Sequence, residues 1–187
     1  LYFTKYGYDV LIMDYRGYGK SRGRKTQKQF YKDAMEAYIY ASNRFSEEDI
    51  IIYGRSLGSA MACYVASKMK AKRLILETPF SGMRDLFYDY YPFLPKLFVF
   101  KFPLNNKKFI QQAEMPITIF QGTNDWIVPY KNASRLKNLL SSEDEFITVE
   151  GGSHNNLNFY EKYNVQLENI LKHWQVLKSK ASRVNEV

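Results

Sequence analysis

Three residues of this 187-residue chain are suited by type to work on one another: a serine between two glycines, an aspartate in a glycine-bearing loop, and a histidine in a second such loop. Ser56 is the centre of Gly54-Arg55-Ser56-Leu57-Gly58, a G-x-S-x-G pattern. It lies between the apolar run Ile50-Ile51-Ile52-Tyr53 and a helix-forming run through Ala60, Met61, Ala62 and Val65. A chain that turns so sharply from strand to helix holds one side chain exposed in a strained conformation, and the flanking positions must be glycine because no Cβ fits there. A serine hydroxyl is a weak nucleophile until an imidazole takes its proton. The imidazole does this best when a carboxylate fixes its tautomer and stabilises its charged form. Of the two histidines, His154 follows Gly151-Gly152-Ser153 on a loop and is the credible base; His173, between Lys172 and Trp174 in a terminal helix, reads as a surface or packing residue. Asp125, after Gly122, is the favoured acid, although Glu77 also ends a strand and can approach the same edge. Asp14 ends a strand too, where anchoring a loop beside Arg16 suits it better.

The elements that must carry these residues alternate. Val10-Leu11-Ile12-Met13, residues 50–53, Arg73-Leu74-Ile75-Leu76-Glu77, Ile117-Thr118-Ile119-Phe120 and Phe146-Ile147-Thr148-Val149 read as short buried strands. Between Gln27 and Phe45 the positions Phe30, Ala34, Ala37, Tyr38, Ala41 and Phe45 recur at steps of three and four, which predicts a helix with one apolar stripe. Further helices are predicted after the serine, over about residues 131–140 and from about residue 157 to residue 178. Strands alternating with helices imply an α/β fold with a mostly parallel sheet and helices on both faces. Ser56, Asp125 and His154 then each stand beyond the carboxyl end of a strand, along the edge where crevices form in such sheets. Residues 80–112 break the rhythm with ten phenylalanines and tyrosines and with Pro92, Pro95 and Pro103. They admit two readings, core packing or a small cap that gives the site an apolar wall.

Composition bounds the rest. At 45% hydrophobic and 17% aromatic content, the chain can bury one core, and a single domain over 1–187 is expected. One cysteine, Cys63, excludes an internal disulfide framework and a thiolate metal cluster. The net charge of +8 reads first as a solvated basic surface. No nucleic-acid-binding motif accompanies it, so nucleic acid is not expected as a partner, whereas an anionic substrate or an acidic membrane surface is compatible with it. Gly17-Tyr18-Gly19-Lys20-Ser21 is not a phosphate-binding loop, because Asp14 stands where that pattern needs glycine. No window of the sequence is an apolar membrane span, no leader peptide opens it, and a cytoplasmic location is the default expectation.

The order Ser56, Asp125, His154 resembles that of the α/β-hydrolase superfamily. The likeness extends to Gly7-Tyr8-Asp9-Val10, to Asp14-Tyr15-Arg16-Gly17-Tyr18-Gly19-Lys20-Ser21, to Tyr91-Pro92-Phe93-Leu94-Pro95 and to Asp125-Trp126-Ile127-Val128-Pro129. These stretches are similar to the small hydrolases labelled serine aminopeptidase-like or α/β-hydrolase domain-containing, and the similarity covers nearly all of residues 1–175. The resemblance implies a serine hydrolase acting on carboxylic esters or thioesters, including lipid or acyl substrates, with Ser56, His154 and Asp125 as catalytic residues and no metal or organic cofactor. A peptidase and a non-catalytic binding or scaffold module are the alternatives. It also implies an oxyanion hole built from the N–H of Leu57 and one N–H of a His-Gly-containing loop after the superfamily's third strand. Neither histidine here is followed by glycine. The expectation is therefore an N-terminally truncated α/β-hydrolase fold, with residue 1 not the natural start and a gap in the sheet between residues 10–13 and 50–53.

Overall fold

The apolar runs that carry the candidate residues pair into one sheet, in a computed structural model that describes residues 3–184, with side chains described as far as Lys172. Its strands are β1 (Ile51–Arg55), β2 (Arg73–Glu77), β3 (Ile117–Gly122) and β4 (Glu145–Val149), all parallel and in the order β1-β2-β3-β4. Alternating side chains sort onto the two faces. Leu74, Leu76, Ile117 and Ile119 join one core cluster with Ala62, Cys63 and Ala66 of helix α2 (Gly58–Ala66), whereas Ile75, Phe120, Ile147 and Val149 join another with Tyr163, Leu167 and Leu171 of α6 (Glu161–Val184). Helices thus cover both faces, as buried parallel strands require. Helix α1 (Gln27–Ser42) is capped by the Thr26 side chain, which accepts from Gln29 N at 3.2 Å, and lays Phe30, Tyr31, Ala34 and Tyr38 on α2. Phe45, placed on that stripe by its spacing, lies beyond the helix end and is exposed.

Residues 10–13 are not a strand. They have no ladder partner among the described residues, and Ile12 is 84% exposed; only Met13, followed by Tyr15, packs on the α1–α2 cluster. A strand exists only through a neighbour's N–H and C=O groups, and β1, the outermost strand, does not pair with this segment. The loop that follows is anchored by Asp14, as its position suggested, and Arg16 adds a second tether. Asp14 accepts from Lys20 N at 3.4 Å, while Arg16 makes a bidentate pair with Asp33 of α1 at 2.6 and 2.8 Å.

Two predicted helices are broken. The stretch at 131–140 is a short α5 (Tyr130–Ala133) followed by a 3-10 turn (Ser134–Leu139), where the Ser134 hydroxyl donates to Lys131 O and competes with the backbone ladder. The terminal helix begins as a 3-10 turn (Leu157–Phe159) and restarts at α6 after an extended Tyr160, whose hydroxyl donates to Gly151 O at 2.6 Å. Between β2 and β3, residues 80–112 form α3 (Met83–Tyr90), an irregular stretch, and α4 (Asn106–Ile110). Phe80 is core, whereas Phe93, Leu97 and Val99 face outward.

Candidate active site

Ser56 follows the last residue of β1 with φ +49°, a left-handed conformation that costs a non-glycine residue about 1–3 kcal/mol. The surroundings hold it there. Ser56 N–H donates to Glu77 O at 2.9 Å, extending the β1–β2 ladder by one residue, and Ser56 O accepts from Ser59 N at 3.0 Å and Ser59 Oγ at 2.6 Å as α2 begins. Gly54 is needed because β1 and α2 cross at contact distance: a Cβ on it would lie 2.5 Å from Ala62 Cβ and 2.8 Å from Gly58 O. The backbone N–H of Leu57 belongs to the N-terminal end of α2, where helical N–H groups lack intrahelical partners.

Asp125 and His154 are brought together by a second close approach. Gly122, at the end of β3, passes so near the loop after β4 that a Cβ on it would be 2.1 Å from Gly152 O. Asn124 N–H donates to the same Gly152 O at 2.9 Å, Thr123 N–H to Val149 O at 3.1 Å, and Gly151 N–H to Thr123 Oγ1 at 2.8 Å. The two loops therefore form one unit. Within it, Asp125 is 4% exposed and its carboxylate accepts Ile127 N–H (2.9 Å) and Val128 N–H (2.8 Å) on Oδ1, and Gln121 Nε2 (3.2 Å) on Oδ2. Oδ2 also meets His154 Nδ1 at 2.8 Å, and His154 Nε2 lies 2.9 Å from Ser56 Oγ. A carboxylate can only accept, so Nδ1 carries the proton and Nε2 presents its lone pair to the serine hydroxyl. The result is one hydrogen-bonded chain from a buried carboxylate, through an imidazole, to a partly exposed hydroxyl. Chemically, such a chain can draw a proton from the hydroxyl and hand it on to a leaving group.

The other candidates fall elsewhere. Glu77 does not meet the imidazole ring; its carboxylate accepts from Tyr53 and Tyr163 (2.7 Å) and pairs with Arg55 Nε at 3.1 Å. His173 lies outside the residues whose side chains are described. Sequence reasoning missed Gln121, a fully buried amide that also donates to Val128 O at 3.0 Å and so braces the Asp125 loop. Its one signal is a polar residue within an otherwise apolar strand. Residues 80–112 border the site on two sides. Asn106, fully buried, donates to Ser59 Oγ and Phe80 O, both at 2.8 Å, and Tyr90 at the end of α3 donates to the carbonyls of Trp126 and Ile127 beside Asp125. Among the described residues, no group of three His, Cys, Asp or Glu could hold a metal ion, and no helix is long and apolar enough to cross a membrane.

Comparison with known proteins gives this geometry a context. Residues 1–109 match the family described as Serine aminopeptidase, S33. Alpha/beta hydrolase domain-containing protein 17B of Homo sapiens is 30% identical over 87% of the chain and 56% of its own length, so the chain spans about half the length of the curated relatives it matches. An esterase of Pyrococcus furiosus superposes with a TM-score of 0.73 over 92% of this chain and 73% of its own, at 19% identity. An alpha-beta serine hydrolase homologue from Coxiella burnetii, 26% identical, superposes over 84% of this chain and 64% of its own with a TM-score of 0.57.

Proposed function

From the premise that the chain belongs to the serine aminopeptidase (S33) family of α/β-hydrolases, we propose that it is a serine hydrolase cleaving carboxylic ester or thioester bonds through an acyl-enzyme. The reading rests on the Asp125–His154–Ser56 chain, with links of 2.8 and 2.9 Å. Ser56 Oγ attacks the carbonyl carbon as its proton passes to His154 Nε2. Asp125 keeps the ring oriented and stabilises the imidazolium, and Leu57 N–H faces the oxyanion. The C–O or C–S bond then breaks, the leaving alkoxide or thiolate takes the proton from Nε2, and Ser56 is left acylated. Water, deprotonated by His154, attacks the acyl carbonyl; the acid departs and Ser56 regains its hydrogen.

Esters are preferred over peptides in this reading because the structural relative from Pyrococcus furiosus is named an esterase, and because the rim beside Asp125 offers apolar surface, Trp126 and Ile127, rather than a charged clamp for a peptide terminus. The substrate is met at an acidic lipid surface. Supporting this, Phe93 and Val99 are 97% exposed and Leu97 85% exposed, and from Tyr90 to Phe102 the only charged residues are Lys96 and Lys101.

A fluorophosphonate probe will label the folded protein on Ser56 and will not label Ser56→Ala. p-Nitrophenyl acyl esters and acyl thioesters will turn over faster than aminoacyl amides. A folded protein that the probe leaves untouched would sink the proposal, and a preference for the amides would turn it toward a peptidase.

A further inference from the structure

Arg55 occupies the unspecified position before the nucleophile in the G-x-S-x-G pattern, yet its guanidinium has definite partners. Nε donates to Glu77 Oε1 at 3.1 Å, and Nη2 donates to His154 O at 2.9 Å and to Asn155 Oδ1 at 2.7 Å. We infer that Arg55, anchored on Glu77, is a positioning residue that straps the loop carrying His154 to the strand carrying Ser56. The inference rests on the hydrolase reading above and extends it to a residue outside the serine, histidine and aspartate.

An ion pair with a half-exposed arginine contributes little when both partners are free to move. Glu77 is not free. It is the cross-strand partner of Arg55 in the β1–β2 register, its side chain is only 10% exposed, and its second oxygen accepts the hydroxyls of Tyr53 from the same strand face and Tyr163 from α6. Burial, and then the Glu77 charge, pushes the Tyr53 phenol far up; burial, then Tyr53 and Glu77, does the same to Tyr163. Both hydroxyls therefore stay protonated near neutral pH and donate to Glu77. The planar guanidinium fork, held by one edge, then presents its other edge to the carbonyl of the base.

The geometry makes Glu77 a common reference for both reacting side chains. Its backbone carbonyl accepts from Ser56 N–H at 2.9 Å, and its carboxylate, through Arg55, holds the backbone of His154. Asp125 orients the imidazole at Nδ1, and the second hold, on the main-chain carbonyl of His154, fixes the backbone from which the ring projects, so that Nε2 stands at bonding distance from Ser56. Pairing with Glu77 also balances the arginine charge, so the strap adds no net positive charge next to an imidazole that must itself become positive during turnover.

The test compares wild type with Arg55→Ala, Arg55→Lys and Glu77→Gln, following kcat and KM on a p-nitrophenyl ester, thermal unfolding, and the Nδ1–H proton resonance of His154, assigned by its loss in Asp125→Asn. Arg55→Ala is expected to lower kcat roughly 10- to 100-fold, the scale of a misplacement near 1 Å, with KM within about twofold. Arg55→Lys should recover only part of this, because an ammonium cannot span Glu77 and the carbonyl in the same fork geometry. Added guanidinium ion should restore part of the rate to Arg55→Ala, and its His154 resonance should broaden. An Arg55→Ala protein with unchanged kcat and an unchanged resonance would overturn the inference and leave the hydrolase reading intact. So would a loss of rate in Arg55→Ala that tracks unfolding and is rescued by neither Arg55→Lys nor guanidinium. If instead wild type proves inert toward esters and probes while the resonance still depends on Arg55, the strap stands and the hydrolase reading falls.

Discussion

The rim at the carboxyl ends of the strands and the stretch from Phe93 to Val99 are both tied to α3, the first through Tyr90 and the second through Arg84 and Tyr88, and they obey opposite rules. At the rim, side chains that water would readily solvate are withdrawn and given partners: the Asp125 carboxylate is in contact with four donors, and Gln121 and Asn106 are fully buried. Along the stretch, side chains that water disfavours are left out in it, although Tyr88 O–H to Pro95 O (3.0 Å) and Arg84 to Lys96 O (3.1 Å) hold the backbone in place. Burial of polar groups buys geometric definition at the rim, because each hydrogen bond forbids a rotamer. Exposure of apolar groups on a tethered segment does the reverse: it spends folding free energy to keep a surface ready for something other than water.

The contrast can be broken at either end. The largest effect is expected at the acid: Asp125→Asn, which loses the acceptor that sets the histidine tautomer, should lower kcat on the order of 10,000-fold while the protein stays folded, as read by steady-state rates and circular dichroism. A drop of less than tenfold would mean that the rim's definition does not serve this chemistry. Next is Gly122→Ala, whose new methyl group must push the Gly152 loop away. It should cost about 1–3 kcal/mol in denaturant unfolding and reduce turnover in proportion to the displacement of His154 from Asp125. The smallest effect on the fold is expected in the stretch. Phe93→Ser with Val99→Ser should change stability by no more than about 0.5 kcal/mol and leave hydrolysis of a short soluble ester unaltered, while reducing co-sedimentation with phosphatidylserine-containing vesicles. If the double variant instead destabilises the protein strongly, a further part of the polypeptide, not lipid, covers these side chains.

How much of this was legible in the sequence follows the same division. That Ser56, Asp125 and His154 meet was readable because the proposed chemistry calls for those residue types and the strand-end positions are marked by glycines and by the end of apolar runs. Gly54 was readable as part of the elbow, but the need for Gly122 against Gly152 was not, since it depends on how two loops separated by α5 approach. Arg55 and Glu77 are the oppositely charged last residues of adjacent parallel strands, but the strand read from the sequence stopped at residue 53, short of Arg55, so their pairing was hidden. Residues 10–13 misled because their β-branched pattern records a preference for extended backbone, and extended backbone becomes a strand only beside a partner. The aromatic stretch left two readings open because aromatic content says nothing of which side of the surface a ring will stand on.

The left-handed backbone at Ser56 has a consequence for anyone who would harden this protein. A glycine at that position would sit without steric penalty, so a selection for thermal endurance alone would be drawn to the elbow early and would trade the hydroxyl for a higher melting point. Under the proposed mechanism, endurance and turnover are set against each other at one dihedral angle, and a stabilised variant is worth having only if its search was made to keep residue 56 fixed.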